Sequence, residues 1–69
     1  MNAIEVSVNG ARRSVAPGTT VAELVGTLTT AAKGVAVAVD EAVVPRGAWA
    51  DTVLDAGSRV EVLTAVQGG

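Results

Sequence analysis

From Ile4 to Val8 the chain alternates, Ile4, Val6 and Val8 against Glu5 and Ser7, and then meets Asn9-Gly10. Period-two alternation marks a half-buried strand. Asn-Gly accepts positive φ at both central positions, which is what a tight type I′ hairpin demands. The chain is therefore expected to reverse at once, with residues 11 to 16 returning antiparallel and Pro17-Gly18 ending that second strand.

The next segment supplies a helix to cover the hairpin. Thr20-Val21-Ala22-Glu23 fits a capping box, in which the Thr20 hydroxyl accepts from the Glu23 amide and the Glu23 carboxylate reaches back to the Thr20 amide. Val21, Leu24, Val25 and Leu28 follow at i, i+3, i+4 and i+7, one stripe expected to face the sheet. Gly26 weakens this helix by about 1 kcal/mol relative to Ala. Thr29 and Thr30 are expected to unwind it and Lys33-Gly34 to close the region, leaving Ala31 and Ala32 as a last turn or as loop.

Beyond the helix, Val35-Ala36-Val37-Ala38-Val39 is an apolar, β-prone run expected to form a central strand, covered on both faces or pressed on the helix by one side. Asp40-Glu41 offers a turn into Ala42-Val43-Val44, which Pro45 restricts to a short edge strand because it has no amide to donate. Gly47 to Asp51 reads as a single turn whose Trp49 caps the core, and Val53 and Leu54 are expected to turn inward. Asp55-Ala56-Gly57-Ser58 is a turn. Arg59-Val60-Glu61-Val62 is a final strand with Val60 and Val62 buried, and Leu63 and Thr64 break its alternation. This order gives an α+β roll, one sheet with one helix across a face. If the first and last strands lie side by side and parallel, the helix belongs to a crossover of the common right hand and the fold is the β-grasp.

Size and composition limit what such a body can do. A chain of 69 residues is expected to form one domain that buries only about 60% of its unfolded surface. A deep ligand pocket of several hundred Å³ would consume much of that core, so a surface or a tail is the expected working part. Without cysteine there is neither disulfide nor thiolate metal site. The net charge is −2, the five basic residues Arg12, Arg13, Lys33, Arg46 and Arg59 are scattered, and Trp49 is the sole aromatic, which argues against nucleic acid as a partner. Glu23, Lys33 and Asp40 interrupt the apolar middle, so no stretch suits a membrane span of roughly 20 residues. No secretory signal is visible, and a cytoplasmic protein is expected.

The chemistry is sparse as well. With no histidine and no cysteine, Ser7, Ser14 and Ser58 have no base to activate them, so any catalysis is expected to reside in partners. Glu23 is explained by its cap, Asp40 and Glu41 by a solvated turn, Arg12-Arg13 by a solvated strand edge and Trp49 by packing. What stands out is Gly68-Gly69. Two residues without Cβ can thread a narrow cleft and present an unhindered carboxylate to an enzyme.

Val37-Ala38-Val39-Asp40, Val43-Val44-Pro45-Arg46, Trp49-Ala50, Gly57 to Leu63 and the ending Ala65-Val66-Gln67-Gly68-Gly69 together closely resemble the thiamine-biosynthesis sulfur carrier proteins, the ThiS family. The Asn9-Gly10 hairpin and the Thr20 to Leu24 helix start match the family's usual beginning, so the likeness covers essentially the whole chain. The resemblance implies a ubiquitin-like β-grasp domain over residues 1–64, with a mixed four- to five-stranded sheet and one main helix packed across one face, and a flexible tail over residues 65–69. It implies a carrier rather than an enzyme, with no bound cofactor. Gly69 would be adenylated by an E1-like enzyme using ATP, converted to a thiocarboxylate with a sulfur-donating enzyme as a further partner, and presented to thiazole synthase. Val66, Gln67 and Gly68 would carry tail recognition, and Leu63 and Val66 are expected to touch partners beside it. Two other readings share the fold. The small subunit of molybdopterin synthase usually has a proline-rich approach to its Gly-Gly, unlike Ala65-Val66-Gln67, and a ubiquitin-like modifier would form isopeptide bonds through Gly69 instead.

Overall fold

Asn9 and Gly10 take φ values of 51° and 86°, so the left-handed turn that their identities call for is the one adopted. It joins β1 (Ile4–Val8) to β2 (Ala11–Val15) with Val8 opposite Ala11. The computed structural model describes residues 2–28 and 34–64. Within them follow α1 (Val21–Leu28), β3 (Val35–Val39), β4 (Ala42–Val44), a 3-10 helix over Arg46–Asp51, and β5 (Arg59–Thr64). The expected behaviour of Thr29 to Lys33, and of the tail from Ala65 to Gly69, lies outside the described residues.

The sheet has five strands in the order β2-β1-β5-β3-β4. β1 and β5 are parallel neighbours, and every other pairing is antiparallel. With the first and last strands side by side in the middle and the helix between β2 and β3, this is the ubiquitin-like β-grasp. The centre is β5. β3, expected to be central, lies between β5 and the edge strand β4, and only one of its faces is covered: Val37 is buried and Val35 and Val39 partly so, while Ala36 is exposed. β5 also runs further than Val62. Its pairing with β3 continues through Ala36↔Leu63 and Val35↔Thr64, because the backbone ladder follows register and is indifferent to the loss of side-chain alternation.

Val6 and Val8 of β1, Val37 of β3 and Val60 and Val62 of β5 meet Val21, Leu24 and Val25 of the helix, with Trp49 and Leu54 closing the end of the core. The capping box forms as the sequence spells it: the Thr20 amide donates to Glu23 Oε1 at 3.1 Å and the Glu23 amide to Thr20 Oγ1 at 3.2 Å. The helix start is tied down further by a bridge between Thr20 and Val53, flanked by hydrogen bonds from the Val21 amide to the Thr52 carbonyl and from the Leu54 amide to the Thr19 carbonyl.

That bridge corrects two expectations. Val53 does not turn inward; it is 52% exposed, because extended backbone sends neighbouring side chains to opposite sides and Leu54, 2% exposed, takes the core side. Leu28 stays 37% exposed at the far end of its stripe, since the helix is anchored at its cap and the core lies under the turns of Val21, Leu24 and Val25.

Two turn residues grip β5. The Asn9 amide donates to the Val60 carbonyl at 2.9 Å, and the Asn9 side chain then acts as a further strand unit: Nδ2 donates to the Val62 carbonyl at 3.1 Å, and the Val62 amide donates to Oδ1 at 2.8 Å. On the other flank, the Asp40 amide donates to the Arg59 carbonyl at 2.7 Å and the Arg59 amide to Asp40 Oδ1 at 2.9 Å. Asp40 and Glu41 both hold positive φ, 51° and 73°, so this is a second left-handed hairpin turn built without glycine.

Replacing Asn9 separates the turn from the grip. Asn9→Gly keeps a residue suited to positive φ but leaves two Val62 backbone groups without their partner, and is expected to lower unfolding free energy by about 1–3 kcal/mol in denaturant titration. Glu41→Ala should stay within about 0.5 kcal/mol of the parent. An Asn9→Gly variant as stable as the parent would show that the side-chain amide contributes nothing.

Candidate functional site

Several polar residues that could suggest chemistry are held in structure. Glu23 is engaged in the cap. Asp40 receives the Arg59 amide, and Glu41 Oε2 lies 3.1 Å from the Arg59 guanidinium, so the turn that looked merely solvated has a basic partner brought by β5. Ser58 is buried and its Oγ accepts from the Asp55 amide at 3.0 Å. Its carbonyl accepts from the Ser7 amide at 3.0 Å, which carries the parallel pairing of β1 and β5 into the preceding turn. Trp49 is buried, donates its indole N–H to the Val44 carbonyl at 2.9 Å and carries the Arg46 guanidinium 5.8 Å above its ring. Among the described residues no cluster of three or more His, Cys, Asp or Glu side chains could hold a metal.

The remaining candidate is the sheet face that the helix does not cover. Register places Ala36 opposite Leu63, Ala38 opposite Glu61, and Ala38 opposite Val43 on the other side, so side chains from three adjacent strands share one patch. Val43 is 77% and Leu63 69% exposed, and between them lies a shallow, mainly apolar depression of about 80 Å³. Large aliphatic side chains held in water on a flat surface gain about 25 cal/mol per Å² when covered, so this patch favours contact with another surface. Glu61 adds a charge at its margin.

The patch lies on the strand that leads into the Gly-Gly segment. Leu63, expected from its place in the sequence to touch partners, is on it. Val66, Gln67, Gly68 and Gly69 lie outside the described residues. Val43 and the two alanines were missed by residue-by-residue reading. The available signal was the Ala36/Ala38 spacing inside an unbroken apolar strand, together with an edge strand too short to bury both Val43 and Val44.

The family model described as the ThiS family matches residues 6–69 of this chain. Among solved structures, the crystal structure of the thiamine biosynthesis protein ThiS from Geobacter metallireducens is similar, at 32% identity and a TM-score of 0.80, over 96% of this chain and 100% of that one. No curated protein matches the chain.

If the open face serves contact rather than folding, its apolar side chains are expendable for stability. The double substitution of Val43 and Leu63 to Ser is expected to change unfolding free energy by no more than about 1 kcal/mol, against a loss of about 2–5 kcal/mol for Leu54→Ala in the core. Comparable losses in the two variants, read by chemical denaturation, would make the patch structural.

Proposed function

The chain belongs to the ThiS family, and from that premise we propose that it is a sulfur carrier of thiamine biosynthesis that works through the carboxylate of Gly69. The observation that carries this reading is a family match that extends through Gly69, joined to 32% identity with a ThiS protein of the same fold. The chain is a co-substrate for other enzymes rather than an enzyme: it has neither His nor Cys, and the carboxylates of Glu23, Asp40 and Glu41 are committed to capping, turn and ion-pair contacts.

A carboxylate is a poor acyl donor because its leaving group would be oxide. An E1-like partner removes that barrier by letting a Gly69 oxygen attack the α-phosphorus of ATP, with pyrophosphate leaving and an acyl-adenylate forming. Sulfur at the oxidation level of sulfide then attacks the carbonyl carbon, the C–O bond to AMP breaks, and Gly69 is left as a thiocarboxylate. A sulfur-donating enzyme supplies the sulfur, and thiazole synthase is the acceptor. The ATP site belongs to the activating partner, and its use of ATP fits the cytoplasm.

In this reading residues 1–64 are a handle and residues 65–69 a tail. Gly68 and Gly69 lack Cβ, which lets the backbone pass through a narrow channel to the adenylating centre. Gln67 and Val66 extend the recognised segment. A five-residue tail alone binds weakly once the cost of ordering it is met. The apolar patch of Val43 and Leu63 supplies the additional contact area, and among the described residues no helix is long and apolar enough to draw the chain across a membrane.

Incubation with its activating enzyme, ATP and a sulfur source is expected to raise the mass of the intact chain by one oxygen-for-sulfur exchange. Deleting Gly69 should abolish the exchange without changing the circular dichroism spectrum. An unmodified mass under conditions that modify a known carrier would overturn the reading. Replacing both Val43 and Leu63 with Asp should slow activation about tenfold or more while the fold persists. Undiminished activation of that variant would move the docking surface elsewhere.

A further inference from the structure

The molecule has a second surface that the carrier reading does not use, formed where the edge of the sheet meets the helix. β2 is an edge strand, and its outward main-chain groups can be identified from the other side of the hairpin. On β1 the amides of Ser7 and Asn9 donate to β5 and the preceding turn, and the Glu5 carbonyl accepts from the Gly57 amide. Main-chain groups alternate sides along a strand, so Ile4, Val6 and Val8 turn theirs towards β2, where they meet Val15, Arg13 and Ala11. Arg12 and Ser14 therefore present their N–H and C=O groups to the outside. The register assigns the side chains too. Arg13 and Val15 share the helix side with Val6 and Ile4, while Arg12 and Ser14 share the open side with Ser7 and Glu5.

Beside this edge runs an open groove of about 370 Å³, with Arg13, Val15 and Thr19 on one side and Glu23, Leu24 and Thr27 of the helix on the other. Its two charges differ in availability. Glu23 is held by the Thr20 amide at the helix start. Arg12 lies 3.9 Å from Glu5, whereas Arg13 makes no ion pair among the described residues.

We infer that the β2 edge and the groove between β2 and α1 bind an extended peptide with alternating apolar and acidic side chains, which adds to the sheet as a sixth strand. The main-chain groups of Arg12 and Ser14 supply the ladder, as in strand addition generally. Alternate peptide side chains enter the groove, where an apolar one packs on Val15 and Leu24 and a carboxylate pairs with Arg13. A charged edge can serve merely to keep strands apart. Here, however, one of the two arginines is turned off the edge and into the groove, where it offers a partner something to bind. A second copy of the chain fits less well, because pairing β2 with β2 sets Arg12 and Arg13 of both copies against one another. The opposite edge of the sheet offers no equivalent: β4 has three residues and is followed by Pro45.

The test is an amide-resolved NMR titration of the full chain, labelled with nitrogen-15, with an acetylated and amidated peptide of alternating valine and glutamate. Saturable shifts are expected at Arg12 and Ser14 and across the groove at Thr19, Leu24 and Thr27, with no such response to the valine–lysine counterpart. Arg13→Glu should weaken binding about tenfold or more. Ser14→Pro should abolish it, because that amide faces away from β1 and its removal costs the ladder only its new strand. Both variants should keep the parent's dispersed spectrum, and Arg13→Gln, with an intermediate loss, replaces Arg13→Glu if that spectrum collapses. The inference is overturned by an absence of saturable shifts, by shifts centred on Ala36, Val43 and Leu63, by equal binding of the lysine peptide, by full binding in Ser14→Pro, or by a β2-mediated dimer in the peptide's absence. It stands apart from the carrier reading, since sulfur loading of Gly69 can succeed or fail whatever the peptide does.

Discussion

The parallel seam between β1 and β5 holds the molecule together. Each remaining pairing is either local or built on it: β1 with β2 is a hairpin, β3 with β4 is another, and only β5 joins the two. The register itself is short, Ser7 opposite Arg59 and Val8 opposite Val60. It is lengthened at one end by the Gly57 amide on the Glu5 carbonyl and the Ser7 amide on the Ser58 carbonyl, and at the other by Asn9, whose side-chain amide makes both hydrogen bonds that another strand residue would have made to Val62. Contacts 53 residues apart along the chain close a long loop, and that entropy must be offset before the seam contributes stability. Concentrating hydrogen bonds there, over the buried Val6, Val8, Val60 and Val62, is how a small core offsets it.

The same strand then divides the labour of the sheet. Its inward residues Val60 and Val62 complete the core, and Leu63, pointing the other way, belongs to the open patch. Because a strand separates its faces at every residue, a small body can be well packed on one side and adhesive on the other without conflict. The proposed carrier role uses this division: the helix side provides a stable handle, the open side provides contact, and chemistry falls to residues beyond the last strand. The groove beside β2 lies on the helix side and at the opposite edge from β4, so a peptide there and an enzyme on Val43 and Leu63 would not compete for the same atoms.

What could be read in the sequence was local. Asn9-Gly10, the reciprocal Thr20–Glu23 cap and the edge strand before Pro45 each depend on residues within a few positions, and each formed as read. What could not be read depends on register. Nothing adjacent to Asn9 says that its side chain will reach Val62, and nothing adjacent to Asp40 says that the Arg59 amide will arrive 19 residues later. Val53 was misplaced for the same reason, since its direction is set by a bridge to Thr20 and not by its own hydrophobicity. The open patch was half legible. Leu63 is conspicuous beside a Gly-Gly ending, but Val43 joins it only because β3, with small Ala36 and Ala38 outward, lies between β4 and β5.

Register also limits the shape of any enzyme that uses this carrier. β5 remains paired to β3 up to Thr64 opposite Val35, so the backbone position and direction are fixed to the last of the described residues. A partner that seats Leu63 therefore determines where Thr64 lies. From Thr64, five residues at about 3.3–3.6 Å each reach at most about 18 Å. In the proposed carrier reading, an adenylating centre and a thiazole-forming centre that both act on Gly69 would each lie within that radius of a surface complementary to the same patch. That reading holds two enzymes with unrelated chemistry to one docking geometry, because Leu63 of the patch and Thr64 lie on the same paired strand.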